Sequence, residues 1–153
     1  MKPRLDPFRA APASMEAMLA LEGHVRACGL EHGLIHLVKT RASQINGCAY
    51  CVHMHTRDAR VAGESEERLY LLSAWRESPL YTERERAALG WTDALTLVAE
   101  TNAHDAAYLP LHDHFSAEEV VKLTLLISTI NAWNRIAIGF RSLHPVETPR
   151  TDS

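Results

Sequence analysis

Two cysteines, Cys48 and Cys51, lie three residues apart in this chain, and His55 follows the second cysteine by four residues. In a helix, steps of three and four residues place side chains on one face, so the two thiols and the imidazole would meet there. The thiolate is the reactive form of cysteine, and a neighbouring imidazole or a helix N-terminus raises its fraction at neutral pH. The spacing therefore indicates a dithiol redox centre.

Two other interpretations of the cysteine motif are available. The cysteines with His53 or His55 could bind zinc, although the second half of a usual structural zinc site is missing from the sequence. The cysteines could also be buried and inert. A helix N-terminus favours Cys48 as the more acidic thiol, whereas His55 is placed to act as a base for Cys51. The spacing by itself leaves the roles of the two thiols open.

The elements that must hold this motif are predicted to be helices. Helix signals recur from residue 14 to residue 141, and alternating strand patterns are absent. Asn46-Gly47 breaks the chain after a helix predicted over about residues 32 to 44, and the next helix, about 48 to 61, carries the cysteines in its first turn. We therefore predict an all-α, single-domain bundle of about six helices with the C-x-x-C motif at a helix N-terminus.

Capping residues and helix breakers predict the remaining boundaries. Ser14 is a candidate N-cap for the first helix, and Pro110 is expected to break a short turn. Capping-box sequences of the S/T-x-x-E type begin at Thr82 and Ser116 and predict that helices start at the next residues, 83 and 117. These helices are expected to cover about residues 14–28, 65–75, 83–100 and 117–140, within an N-terminal extension (1–13), a helical domain (14–143) and a mobile C-terminal tail (144–153).

Composition and charge exclude several classes of protein. The chain has 153 residues, of which 46% are hydrophobic and 23% charged, as is usual for one globular domain. No apolar run approaches the roughly 20 residues that cross a bilayer, and the first residues lack the pattern of a signal peptide. The net charge is −3 and the sequence has no basic cluster, so it indicates no binding surface for nucleic acid or an anionic membrane. We expect a cytoplasmic protein with no nucleic-acid or membrane partner.

Several other side chains are interpreted as structural. Three tryptophans on predicted helices are expected to anchor the core or a subunit interface. A polar stripe on the last helix predicts a buried hydrogen-bond cluster rather than a substrate contact. Ser43 and Gln44 either contact the site or help cap their helix, and Cys28 is expected to be a small core residue. The tryptophans are Trp75, Trp91 and Trp133, and the stripe consists of Asn131, Asn134 and Arg135.

The block IHLVKTRASQINGCAYCVHMHTRDAR, residues 35 to 60, resembles the signature of the AhpD-like alkylhydroperoxidases in the carboxymuconolactone decarboxylase superfamily. The later blocks SAWRES, TERERAALGWTDALT and INAWNRIAIGFR resemble the same subgroup, so the resemblance extends over about residues 15 to 141. It implies an all-α domain that assembles into trimers or hexamers. It also implies an enzyme whose C-x-x-C disulfide centre reduces peroxides.

The same resemblance implies roles for individual residues. Cys51 would be the peroxidatic thiol, Cys48 the resolving thiol and His55 a member of the proton relay. Two positions depart from the family pattern: the relay glutamate twelve residues before the first cysteine is replaced by His36, and the histidine before the second cysteine is replaced by Tyr50. His36 can still accept a proton near neutral pH, and Tyr50 can donate a hydrogen bond, so a rewired relay is expected.

The resemblance implies no metal and no tightly bound cofactor. An external dithiol, a protein-bound lipoyl group in the classical enzymes, would reset the disulfide, so the expected partners are a peroxide and a dithiol electron-donor protein. Apolar residues on more than one face of the last predicted helix favour a homo-oligomer. Two alternatives to the peroxidase are a redox-sensing or disulfide-exchange module and a lactone decarboxylase-like enzyme, and the latter has no use for two adjacent thiols.

Overall fold

Helices account for the regular structure of residues 1–146, the part of the chain that the computed structural model describes. This part contains nine α-helices and two 3-10 turns, with no strand. In chain order they are α1 Pro7–Ala10, α2 Pro12–Arg26, α3 His32–Asn46, α4 Ala49–Val61, α5 Glu66–Leu71, the 3-10 turn Leu72–Glu77, α6 Glu83–Thr96, α7 Val98–Thr101, α8 Asp105–Tyr108, the 3-10 turn Leu109–Asp113 and α9 Ala117–Phe140. The predicted all-α class is confirmed, and six of these helices exceed one turn.

Helix α3 lies at the centre of the fold and packs against α4, α6 and α9. Its apolar side, which includes Val38, joins α6 and α9 in the main core, where Trp91 is also buried. Leu37 points into a second cluster around Trp75. Both of these tryptophans are thus core residues, as the sequence predicts. The remaining side of α3 carries polar side chains, and these position the candidate site.

Helices α6 and α9 begin at the two predicted capping boxes. The Thr82 hydroxyl accepts a hydrogen bond from the Glu85 backbone N–H at 3.2 Å, and the Glu85 carboxylate accepts one from the Thr82 N–H at 2.8 Å. Ser116 and Glu119 form the same reciprocal pair at 3.2 and 2.8 Å. Each box satisfies two N–H groups that a helix start otherwise leaves unpaired, which explains why both predicted starts are confirmed.

Four predicted boundaries differ from the structure. Helix α2 begins at Pro12, whose fixed φ suits a first turn, so Ser14 lies inside the helix and is not its N-cap. The helix predicted to reach residue 75 is α-helical only to Leu71 and continues as a 3-10 turn. The helix predicted over 83–100 is interrupted at Leu97, where φ is −101° and ψ is 33°. Pro110 lies at the start of a 3-10 turn, where its missing N–H costs nothing, and does not break it.

The N-terminal segment contacts the last turn of α9. In the predicted N-terminal extension, the Arg4 backbone N–H donates to the Phe140 carbonyl at 2.9 Å, and its guanidinium donates to the Gly139 carbonyl at 3.0 Å. Of the predicted C-terminal tail, 144–153, residues 147–153 lie outside the described residues. Within residues 1–146, no helix is both long enough and apolar enough to cross a membrane.

A left-handed turn at Gly47 joins α3 to α4. Gly47 ends α3 with φ of +68° and ψ of 30°. Its N–H donates to the Gln44 carbonyl at 3.2 Å, and the next N–H, that of Cys48, donates to the Ser43 carbonyl at 3.0 Å. These bonds satisfy carbonyls at the end of α3 and place Cys48 as the N-cap residue of α4. The turn therefore fixes where the first cysteine lies.

Replacing this glycine is expected to destabilise the fold. Gly47→Ala should lower the free energy of unfolding by about 1 to 2 kcal/mol, because a side chain disfavours the left-handed region. Gly33→Ala is the matched control: Gly33 lies in α3 with open space around its Cα, so alanine there should be neutral or stabilising by up to about 1 kcal/mol. Urea unfolding of both variants measures the difference, and equal destabilisation would contradict the role of the turn.

A candidate dithiol active site

Cys48 and Cys51 are joined as a disulfide at the N-terminus of α4, with their Cα atoms 5.3 Å apart. Both are buried, with exposed fractions of 1% and 2%. The Cys51 backbone N–H donates to the Cys48 sulfur at 3.3 Å, so this sulfur caps the first turn of the helix. The predicted position of the motif at a helix N-terminus is confirmed. A thiolate at Cys48 would gain from the same N–H and from the positive end of the helix dipole.

His55 lies one helical turn after Cys51 and is buried. Burial of the imidazole lowers its pKa to about 3, and the positive charges of Lys39, His36 and Arg26 add to this effect. Near neutral pH the imidazole is therefore uncharged while the disulfide is intact. A thiolate at Cys51 would favour the protonated form instead, because an opposite charge in a buried site stabilises it.

Three polar atoms on one face of α3 are buried without a hydrogen-bond partner: His36 Nδ1, Thr40 Oγ1 and Gln44 Oε1. Spacing by four residues places these atoms in one row along α3. The charge of His36 acts on His55 of α4, which indicates that the row lies on the side of α3 that packs against α4. Burial is the main cause that lowers the pKa of His36, and Asp58 of α4 opposes it. An unpaired buried polar atom costs about 1 to 3 kcal/mol, so such rows bind water or a polar ligand.

A network of amides ties the end of α3 to α9. The Asn46 side-chain amide donates to the Asn131 Oδ1 atom at 2.9 Å and to the Asn134 Oδ1 atom at 2.8 Å. Asn134 in turn donates to the Ser43 hydroxyl at 3.0 Å. Arg135 donates to the Asn131 carbonyl and side-chain oxygen. The predicted hydrogen-bond cluster is confirmed, and Ser43 connects two helices.

The buried ion pair between Lys39 and Glu22 is a feature that the sequence reasoning missed. Lys39 on α3 is only 4% exposed, and its ammonium pairs with the Glu22 carboxylate on α2. The Trp133 indole N–H on α9 donates to the other oxygen of this carboxylate at 3.2 Å. The signal in the sequence was the position of Lys39 directly after the apolar pair Leu37 and Val38 on a predicted helix, but nothing local indicated its partner.

The residues around the disulfide differ in how closely they approach it. Tyr50, half-buried, packs against the cluster of Cys48, Cys51 and Ala137. His53 points away from the pair and stacks on His144, with 4.8 Å between the ring centroids.

Across residues 1–146, no group of three or more His, Cys, Asp or Glu side chains is placed to hold a metal ion. Cys28 is a free, half-buried cysteine packed against the main core.

Residues 12–94 match the Carboxymuconolactone decarboxylase family, and the chain belongs to this family. It is 39% identical to the uncharacterised protein YdfG of Bacillus subtilis over 139 residues, which are 91% of this chain and 95% of YdfG. A crystal structure of an Agrobacterium tumefaciens protein of unknown function, provisionally assigned as the antioxidant defence protein AhpD, superimposes with a TM-score of 0.94 at 57% identity, covering 95% of this chain and all of that one.

A more distant structure shares the same fold. It is the alkylhydroperoxidase AhpD core of an uncharacterised peroxidase-related protein from Ralstonia eutropha, with a TM-score of 0.79 at 18% identity, over 90% of this chain and 74% of that chain. This likeness concerns the fold alone. The family match and the Agrobacterium structure confirm the resemblance to AhpD-like proteins that the sequence blocks predict.

The buried neutral imidazole predicts a pH dependence of stability. The pKa of His55 is depressed in the folded state, so the unfolded chain binds the extra proton as the pH falls from about 6.5 towards about 3. The contribution of His55 to the free energy of unfolding is present in full above about pH 6.5. It is lost as the pH falls below this value, by at most about 1.4 kcal/mol per pH unit.

Urea unfolding of the oxidised protein at several pH values between about 7 and 5 measures this loss. The His55→Gln variant should lose less stability over the same range than the native protein. His24→Gln, at an exposed position on α2, is the matched control and should keep the native slope. An unchanged slope in His55→Gln would show that His55 is not the buried neutral base.

Proposed function

We propose that the protein is a thiol-dependent peroxidase that reduces organic hydroperoxides to alcohols through a Cys48–Cys51 dithiol/disulfide cycle. The observation that carries this proposal is the buried cysteine pair at a helix N-terminus with a neutral His55 on the same helix face. Membership of a family that includes AhpD-like proteins supports it. The thiols, the base and a helix terminus are the parts that thiolate chemistry requires.

In the first step, the Cys51 thiolate attacks the terminal oxygen of the hydroperoxide. The sulfur–oxygen bond forms as the O–O bond breaks, Cys51 is oxidised to a sulfenic acid and the leaving alkoxide takes a proton to become an alcohol. Cys51 is the better placed attacking thiol, because His55 lies one turn away on its side of the helix. The family resemblance assigns Cys51 the same role.

In the second step, the Cys48 thiolate attacks the Cys51 sulfenic acid. The disulfide forms and hydroxide leaves, which becomes water with one proton from the site. The Cys51 N–H, already directed at the Cys48 sulfur, stabilises this attacking thiolate. An external dithiol then reduces the disulfide by two thiol exchanges and is itself oxidised, so one dithiol is consumed per hydroperoxide.

His55 and His36 are the proposed proton relay. His55 takes the Cys51 proton when the thiolate forms, and the resulting ion pair opposes the burial that keeps the imidazole neutral in the disulfide form. His36 replaces the family glutamate, and its buried Nδ1 is free to exchange protons with the site. Tyr50 is proposed to donate a hydrogen bond near the disulfide that it contacts.

The proposed partners follow from this cycle. The reductant is a protein-borne dithiol of the lipoyl type, and the working compartment is the reducing cytoplasm, since the disulfide must be reset after each turnover. No metal or tightly bound cofactor takes part. A trimer or hexamer is proposed, because apolar side chains of α9 such as Val121 and Ile138 remain exposed on the single chain.

Substitution of the attacking thiol tests the cycle. Cys51→Ser should abolish dithiol-dependent consumption of cumene hydroperoxide, because serine cannot form a sulfenic acid. Cys28→Ser, which removes the free cysteine outside the pair, is the matched control and should keep turnover within about twofold of the native rate. Unchanged turnover in Cys51→Ser would overturn the assigned role.

Intact mass spectrometry follows the same reaction by another route. One equivalent of hydroperoxide should remove about two daltons from the reduced native protein, and an excess of dithiol should restore them. In Cys48→Ser, the same treatment should add one oxygen to Cys51 instead, because the sulfenic acid has no resolving thiol. A reversible disulfide without hydroperoxide turnover would favour the redox-sensing alternative.

The relay predicts the effect of a substitution at position 36. His36→Ala should lower kcat/KM for the hydroperoxide by about tenfold or more and shift the pH–rate profile, because a proton-transfer group is lost. His36→Glu, which introduces the family residue, should recover most of the rate. Stopped-flow measurement of disulfide formation across pH compares the variants, and a native profile in His36→Ala would make His36 a spectator.

A further inference from the structure

The ion pair of Lys39 and Glu22 lies beside the dithiol site and is not used in the cycle described above. On α3, Lys39 lies one turn before Ser43, whose carbonyl accepts the Cys48 N–H. On α9, Trp133 lies one turn before Ala137, which packs against both cysteines. Its ammonium is almost fully buried and pairs with Glu22. Trp133 donates to the same carboxylate, so three helices fix the position of this pair.

Stability alone gives little reason for this arrangement. Burying both charges costs several kcal/mol of desolvation, and apolar residues of similar volume are often equally or more stabilising in such positions. A buried ammonium is useful where a negative charge must form nearby, because a fixed positive charge is only weakly screened there. The reduced dithiol site is a place where a negative charge forms.

Of the two charges in the pair, the Lys39 ammonium is the one whose field reaches the dithiol site. The described charges that act on the His55 imidazole are those of Lys39, His36 and Arg26, with Lys39 the largest of them. Glu22 belongs to α2 and is turned towards Trp133 on α9. His55 shares its helix face with Cys51, so the ammonium is near the place where the thiolate forms.

The charged and titratable groups with a described interaction at Lys39, His36 or His55 come from three helices. They are Glu22 and Arg26 on α2, His32 and His36 on α3, and His55 and Asp58 on α4. The cysteine pair lies on the same face of α4 as His55. Reduction of the disulfide adds a new negative charge to this region, and that charge is a cysteine thiolate.

We propose that Lys39, oriented by Glu22, is a positioning residue that stabilises the Cys51 thiolate relative to the thiol in the reduced protein. The proposal rests on the proposed function in one respect, that the Cys51 thiolate is the attacking species. In this proposal Lys39 transfers no proton and acts only as a fixed positive charge. The ammonium favours the thiolate and disfavours a positive charge on His55, so it also favours onward transfer of the Cys51 proton from His55.

The thiol pKa of Cys51 tests this directly in the reduced Cys48→Ser background. The readout is the rate of iodoacetamide alkylation of the Cys51 peptide across pH, measured by mass spectrometry. Lys39→Met should raise the thiol pKa, and one unit corresponds to about tenfold slower alkylation below the pKa. Lys122→Met, which removes a surface lysine paired with Glu118 on α9, is the matched control and should leave the rate unchanged.

Glu22→Gln separates an electrostatic role from a structural one. Loss of the carboxylate leaves the ammonium without its counter-charge, so the thiol pKa of Cys51 should fall or stay at its native value. A purely structural pair predicts that both variants raise the pKa alike, and that result would overturn the proposal. A native pKa in Lys39→Met would also overturn it.

This test does not depend on peroxide turnover, since alkylation needs no hydroperoxide and no dithiol partner. If the native protein consumes no hydroperoxide while Lys39→Met still raises the thiol pKa, the proposed function fails and the role of Lys39 is supported. If Lys39→Met does not fold, the direction of the shift in Glu22→Gln still decides between the two roles.

Discussion

Helix α3 is surrounded by other helices on most of its sides, and the polar side chains that it carries must find partners inside the protein. Leaving a buried polar group unpaired costs free energy that a small domain can ill tolerate. Lys39 therefore requires Glu22 on α2, and Ser43 and Asn46 require the amides of α9. These polar pairs act together with the apolar contacts of the main core to fix how α2 and α9 lie against α3.

The dithiol site occupies the part of this polar surface that packs against α4. The amides of α9 hold the last turn of α3, the left-handed turn follows directly, and Cys48 begins α4. Rigid elements thus hold both cysteines, while the row from His36 to Gln44 offers unpaired polar atoms on the opposite helix. A site built on packed helices in this way is held more precisely than one built on loops.

Local signals in the sequence predicted the helices well. The capping boxes at Thr82 and Ser116 and the break at Gly47 act within a few residues, so their pattern was sufficient. The boundary at Ser14 was wrong because Pro12 provided a stronger start, and the sequence offered both. The C-x-x-C motif with His55 was equally local, because one helix carries all three residues.

Such local signals could not predict which distant segments contact each other. Glu22 and Lys39 are 17 residues apart, and Asn46 and Asn134 are 88 residues apart, so their pairing depends on where α2 and α9 pack. No local pattern in the sequence reveals that placement. The same limit applies to the burial of His55, which sets its pKa and is a property of the assembled bundle.

The cap at the start of α4 has a consequence for the redox equilibrium itself. The sulfur that receives the Cys51 N–H is neutral in the disulfide and can be anionic after reduction, and hydrogen bonds to ions are about twice as strong as those between neutral groups. The first turn of α4 is therefore held more firmly in the reduced protein. Thermodynamic linkage makes this reciprocal: a helix that prefers the reduced sulfur makes the disulfide a stronger oxidant, as a stabilised reduced form does in other dithiol proteins.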